Sequence, residues 1–140
     1  MSSITTFPSV TVQTIRKFRL TPLKTTAKTT PAQIYKIENS EVLLDEEIDL
    51  DIDTPFDELF DEIPDNSPRF ILINYGYKKD DRFVSPLVGI YWRPRTARGE
   101  VLMMYAGTVE KFKGEVGANI WLEISEEEEW EEVKELIESK

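Results

Sequence analysis

The 140-residue sequence contains no cysteine and no histidine. That excludes disulfides, thiolate and imidazole metal ligands, nucleophiles paired with histidine, and the side chain that ordinarily titrates near neutral pH. Long hydrophobic runs are missing as well. No window approaches the roughly 18 apolar residues of a spanning helix, and "MSSITTFPSV" has no charged stretch leading into an apolar one. No membrane span is expected, and a reducing cytosol fits these absences. There is no glycine-rich loop of the kind that cradles phosphate, and nothing distinguishes a catalytic carboxylate pair from surface charge, so no enzyme and no cofactor is expected. Acidic residues are absent from residues 1–37, which carry Arg16, Lys17, Arg19, Lys24, Lys28 and Lys36 for +6. The 11 bases and 27 acids that remain leave −16 in the rest of the chain, for a total of −10. A body this acidic argues against nucleic acid as a partner, because phosphate contacts need a broad basic surface. The basic N-terminal third suits docking on an acidic surface.

What is present suits one domain with a substantial core: 40% hydrophobic residues, including three Trp, five Tyr and seven Phe. In "SVTVQTIRKFRL" Val12, Ile15 and Phe18 fall on one side of a helical wheel, and Lys17 falls opposite. Thr21-Pro22 ends that helix, and "TPLKTTAKTTP" reads as a loop. "AQIYKIE" and "EVLLDEE" flank Asn39-Ser40 as a hairpin, with Ile34, Lys36 and Glu38 on one face and Gln33, Tyr35 and Ile37 on the other. "TPFDELFDEIP" predicts a short helix with Thr54 as N-cap, Pro55 in first position and a stripe of Phe56, Leu59, Phe60 and Ile63. "RFILINYGY" and "FVSPLVGIYW", joined by "KKDDR", predict a central hairpin apolar enough to be covered on both faces. "NIWLEIS" predicts a further strand. "SEEEEWEEVKELIESK" predicts a terminal helix with a capping box of Ser125 and Glu128 and a buried stripe of Trp130, Val133 and Ile137. The fold class is therefore α/β, a sheet with helices packed on either side.

"GEVLMMYAGTVEKFKGEV" predicts a long helix. Val101, Tyr105, Val109, Phe112 and Val116 form its buried stripe, and Met103 lies nearly opposite with Ala106, Gly107, Glu110 and, at the edge, Lys113. A methionine among small residues makes an adaptable apolar ridge, although one exposed apolar residue is ordinary on a surface. Gly107 marks a kink or a close approach.

Two other patterns lead less far. Asp49, Asp51 and Asp53 alternate as in the first half of a calcium loop, but Thr54 stands at the glycine position and Phe60 at the terminal glutamate position, so a solvated acidic loop is expected and no metal. The loop "RPRTARG", with Arg93, Arg95 and Arg98, leaves a phosphoinositide-binding module as an alternative.

"IRKFRL", "LLDEE", "DELFDEIPDNSPRFILINYGYKKDDRFVSPLVGIYW" and "LMMYAG" together resemble glia maturation factor, a branch of the actin-depolymerising factor/cofilin homology family, over nearly the whole chain. "IYWRP" is most similar to fungal members. The resemblance implies a single homology domain over residues 1–140, with 1–8 flexible and a central mixed sheet flanked by helices on both faces, and a non-enzymatic, monomeric regulator in the cytoplasm, at cortical actin patches. Such a protein binds the branch-nucleating actin-related protein (Arp) complex, inhibits nucleation and promotes debranching, with weak or no binding to actin alone. One implied surface, which engages the Arp complex, maps to Arg16, Lys17, Arg19, Met103, Glu110 and Lys113. A second, toward actin at the branch junction, maps to Lys78, Lys79, Asp80, Asp81, Arg82, Glu131 and Glu132. Ser2 and Ser3 resemble the position at which cofilin-type proteins are phosphorylated. Cofilin-type members carry a lysine where this chain has Leu102. Loss of that charge favours the branch regulator over the alternative, a cofilin-like filament-severing protein.

Overall fold

The computed structural model describes residues 5–140. Its sheet has the order β2-β1-β3-β6-β7. β1 (Thr29–Glu38) and β2 (Glu41–Asp51) form the first hairpin. Asn39 and Ser40 between them both have positive φ, 51° and 60°, as a two-residue turn matched to strand twist requires. The strands reach further than the sequence implied. β1 begins inside the expected loop at Thr29, and the acidic run through Asp51 pairs along its length with β1. Asp49 and Asp51 therefore lie on an edge strand rather than in a solvated loop.

β3 (Arg69–Asn74) and β6 (Leu87–Trp92) pair antiparallel at the centre, as expected, and β7 (Ile120–Ile124) adds parallel to β6. The far end of the central hairpin leaves the sheet. β4 (Tyr77–Lys79) and β5 (Arg82–Val84) form a separate two-stranded ribbon, turned by Asp80 and Asp81 at φ 51° and 65°. At its base, a Cβ on Gly76 would lie 2.4 Å from the Phe83 ring. Glycine there lets the ribbon fold back on itself.

Each face of the sheet carries its own core. On one side α1 (Ser9–Arg19), α3 (Gly99–Ala106) and α4 (Val109–Val116) bury Ile15, Phe18, Tyr105, Val109, Phe112 and Val116 against Tyr35, Phe70, Leu72 and Tyr91. On the other side α2 (Pro55–Glu62), a 3₁₀ helix over Glu127–Glu132 and α5 (Val133–Glu138) bury Phe56, Leu59, Trp130, Val133 and Ile137 against Ile34, Ile71, Ile73 and Ile90. The register of β1 thus puts Ile34 in one core and Tyr35 in the other, so both faces of this strand are buried.

Several local expectations change. In α1 the buried stripe is Thr11, Ile15 and Phe18, with Val12 only half-buried, because the Thr11 hydroxyl turns inward to donate to the Val42 carbonyl at 2.7 Å. Thr54 stands at the start of α2, but its side chain makes no capping hydrogen bond. The long helix is broken at Gly107-Thr108. The Thr108 hydroxyl sits 2.8 Å from the Met104 carbonyl, a local bond that competes with helix continuation. Val101, assigned to the buried stripe, is 47% exposed. It lies in the first turn of α3, well before Tyr105, the one buried residue of that helix. The terminal helix opens as a 3₁₀ helix, and its capping box is Glu126 with Glu129 rather than Ser125 with Glu128. Residues 1–8 were expected to be a flexible lead, yet from Thr5 onward the chain is docked: Thr6 bridges to β2 and the Phe7 ring lies 6.1 Å from that of Phe112.

Candidate functional site

The face built by α1, α3 and α4 holds the six residues of the first expected surface. Arg16, Lys17 and Arg19 are exposed in the C-terminal half of α1, where positive charge suits the helix dipole. They are not equivalent. Arg19 Nη1 donates to the Val116 carbonyl at 3.3 Å, crossing to the end of α4, which Gly117 closes in the left-handed conformation at φ 62°. Arg19 therefore ties two helices together as well as presenting charge. Lys17 lines a groove of about 400 Å³ between α1 and the β1-β2 hairpin, together with Glu47 and Gln33. In its floor the Tyr35 hydroxyl donates to Gln33 Oε1 at 2.5 Å, and Gln33 Nε2 donates to Glu47 at 2.7 Å.

Met103 is 74% exposed on α3. Ala106, Gly107 and Glu110, its expected neighbours on the outer face, are exposed too, and Met104 is half-buried. On α4, Lys113 lies 3.9 Å from Glu110, and its ammonium sits 5.6 Å above the Trp121 ring. That contact holds the lysine stem against the protein and leaves its charge at the rim. Leu102 is half-buried and lines a small cleft with Arg93, Pro94 and Arg95.

Sequence reasoning missed one part of this face. Lys111 donates to the Thr5 carbonyl and lies 5.8 Å over the Phe7 ring, and the Thr5 and Thr108 hydroxyls are 3.0 Å apart. The segment Thr5–Phe7 is thereby strapped across the break between α3 and α4. Gly107 marked the break in the sequence, but nothing local marked its partner about a hundred residues upstream.

The second expected surface is divided. Lys78, Lys79, Asp80, Asp81 and Arg82 sit together, exposed, on the β4-β5 ribbon. The end of α5 is joined to them: Lys79 Nζ donates to the Lys140 carbonyl, and the Tyr75 hydroxyl at the ribbon's base donates to Glu138 at 2.5 Å. Burial, followed by that carboxylate, pushes the Tyr75 phenol well above its ordinary value. Glu131 and Glu132 are exposed on the 3₁₀ helix, an element apart from the ribbon. Ser2 and Ser3 lie outside the described residues.

Of the basic loop, Arg93, Arg95 and Arg98 are exposed, but Arg95 Nε is 2.6 Å from Glu126. One of the three charges is thus already matched. Asp49, Asp51 and Asp53 form no calcium-loop arrangement; Asp51 instead accepts the Asp53 amide at 2.8 Å in a tight turn. No helix among the described residues is long and apolar enough to cross a membrane.

The model of the cofilin/tropomyosin-type actin-binding protein family matches residues 9–138. Protein AIM7 of Saccharomyces cerevisiae is 38% identical, with 99% of each chain covered. Glia maturation factor of Drosophila melanogaster is 34% identical over 88% of this chain and 89% of its own. The solution structure of glia maturation factor from Caenorhabditis elegans superimposes with a TM-score of 0.73 at 29% identity, covering 100% of this chain and 99% of that one.

Proposed function

Because this chain belongs to the cofilin/tropomyosin-type actin-binding family, and within it to the glia maturation factor branch, we propose that it regulates branched actin networks by binding the Arp complex. It inhibits nucleation and promotes debranching, acting as a non-enzymatic monomer at cortical actin patches. The observation that carries this reading is Met103, 74% exposed on the same side of the sheet as Arg16, Lys17 and Arg19, with a leucine rather than a lysine before it. The methionine and its small neighbours seat in a groove of an actin-related subunit. The bases of α1, with Glu110 and Lys113, supply charge complementarity around that contact. The ribbon residues Lys78, Lys79, Asp80, Asp81 and Arg82, with Glu131 and Glu132, face actin at the branch junction. Preferential binding to the debranched state provides the free energy that shifts branches toward release.

Co-sedimentation with purified Arp complex, actin filaments and anionic vesicles in parallel tests the reading. Binding to the Arp complex with little to filaments or vesicles is the expected result, whereas filament binding alone selects the cofilin-like alternative and vesicle binding alone selects the phosphoinositide-binding one. Met103→Asp is expected to weaken Arp-complex binding by more than about tenfold, as loss of a central apolar anchor does, with a thermal midpoint that hardly moves because the side chain is exposed. A large fall in thermal midpoint would mean that Met103 packs inside the fold and is no docking residue.

A further inference from the structure

The docking face is carried on two helices, with Met103 on α3 and Glu110 and Lys113 on α4. How these two halves meet a partner depends on the angle at the break between them. In a continuous α-helix the Thr108 amide would donate to the Met104 carbonyl, four residues back. Here the amide donates instead to the Tyr105 carbonyl at 3.0 Å, and the Thr108 hydroxyl takes the Met104 carbonyl at 2.8 Å. The side chain stands in for its own main chain. That hydroxyl has a single proton, so the Thr5 hydroxyl, 3.0 Å away, is the donor between the two. Thr5 and Thr108 are 6% and 2% exposed. In a buried chain of this kind each bond polarises the next, so Thr5 strengthens the hold of Thr108 on Met104.

The segment that carries Thr5 is fixed on both sides. Toward the sheet, the Thr6 amide donates to the Ser40 carbonyl and the Val42 amide to the Thr6 carbonyl, both at 2.9 Å. Toward α4, Lys111 donates to the Thr5 carbonyl, and the Phe7 ring packs beside Phe112. Two residues at the start of α4, Thr108 and Lys111, thus grip Thr5 by its side chain and its main chain. We propose that Thr5, Thr108 and Lys111 are positioning residues: the strap Thr5–Phe7 ties β2 to the helix break and holds the two halves of the docking face at the angle its partner requires. Thr5 and Thr108, both buried, do this without touching the partner. The role rests on the reading that this face docks on the Arp complex. Its benefit is preorganisation, because a face set in advance loses less conformational freedom on binding.

The test compares Thr108→Val and Thr5→Val, which keep the branched shape and delete the hydroxyl, with Thr108→Ser and Thr5→Ser, which keep the hydroxyl. In the isolated full chain, amide residual dipolar couplings read the angle between α3 and α4. Both valine variants are expected to change that angle, and both serine variants to keep the parent value. An angle that neither valine variant moves overturns the proposal. A change with Thr108→Val alone also overturns it, since the break then holds without the strap. Binding to purified Arp complex is the second arm, and Thr108→Val is expected to weaken it about fivefold, the scale of one lost hydrogen bond. In a Met103→Ala background, where one half of the face is already cut back, the further loss should shrink below about twofold, whereas in an Arg16→Ala background, on α1, it should stay about fivefold. Equal losses in the two backgrounds overturn the proposal, because they mark a general weakening of the fold. Should Thr108→Val not fold, Thr5→Val carries both arms. If the parent itself does not bind the complex, the Arp-complex reading fails, and the angle alone decides the strap.

Discussion

Gly89 sits in the middle of β6, where its parallel partner across the β6-β7 ladder is Trp121. A Cβ at that position would lie 2.6 Å from Trp121 Cε3. Those atoms belong to an indole ring that the Lys113 ammonium also covers and whose centroid is 6.1 Å from that of Phe112. The ring has little freedom to retreat. Gly89→Ala is therefore expected to destabilise the protein by about 1–3 kcal/mol, the usual cost of overpacking a well-filled interior, read as a lower urea midpoint. An unchanged midpoint would show that Trp121 moves aside freely. Because Lys113 rests on the same indole, the variant also disturbs one edge of the proposed docking face. In the sequence this glycine stood out only as an interruption within an otherwise apolar strand. Its reason is Trp121, 32 residues further on, which no local pattern connects to it.

Elements that announce themselves by local chemistry were legible; those shaped by neighbours were not. The α2 helix was marked by Pro55 at its first position and by Phe56, Leu59 and Ile63, all buried, although Thr54 makes no capping bond. The Asn39-Ser40 turn was equally plain. The terminal segment shows the opposite case. Its acidic run suggested an ordinary α-helix, but Glu129 Oε1 accepts the amides of both Ser125 and Glu126 at 2.9 Å, and the first six residues close as a tighter 3₁₀ turn that seats Trp130 beside Phe60 and Trp92. The cap was displaced by one residue, and only the tertiary position of the indole explains why. Glu129→Ala is expected to cost about 1 kcal/mol, the usual effect of losing a helix cap. It should also speed amide exchange at Ser125 and Glu126 while leaving α2 protected. Equal loosening of α2 would show that α2 and the 3₁₀ helix open as one unit. The ribbon was likewise half-read: "KKDDR" marked its turn, but its departure from the sheet follows from the Phe83 ring closing over Gly76.

Across the whole molecule, the absence of histidine leaves the native fold without a group that ordinarily titrates near neutral pH, and its sensitivity lies instead in tyrosines. Tyr35, Tyr75 and Tyr91 are 0%, 5% and 2% exposed. Burial is the leading cause that raises each phenol above the ordinary value near 10, with Tyr91 pushed up to about 12. Once unfolded, a tyrosine loses its proton near pH 10, whereas the native one keeps it. The stabilisation is complete below pH 10 and is lost as pH rises through the native value. Each such tyrosine steepens the loss by about 1.4 kcal/mol per pH unit in that window. Tyr91 separates this effect from packing, because its hydroxyl is buried with no hydrogen-bond partner among the described residues, in the core that α1, α3 and α4 cover. Tyr91→Phe removes an unpaired polar group and no contact, so stability at pH 7 is expected to stay within about 1 kcal/mol of the parent. Between pH 10 and 12 the slope of stability against pH should flatten by about 1.4 kcal/mol per unit relative to the parent. Urea denaturation at a series of alkaline pH values decides the matter: parallel slopes would mean that the Tyr91 hydroxyl reaches solvent and that the core beneath α1, α3 and α4 is less sealed than its packing implies.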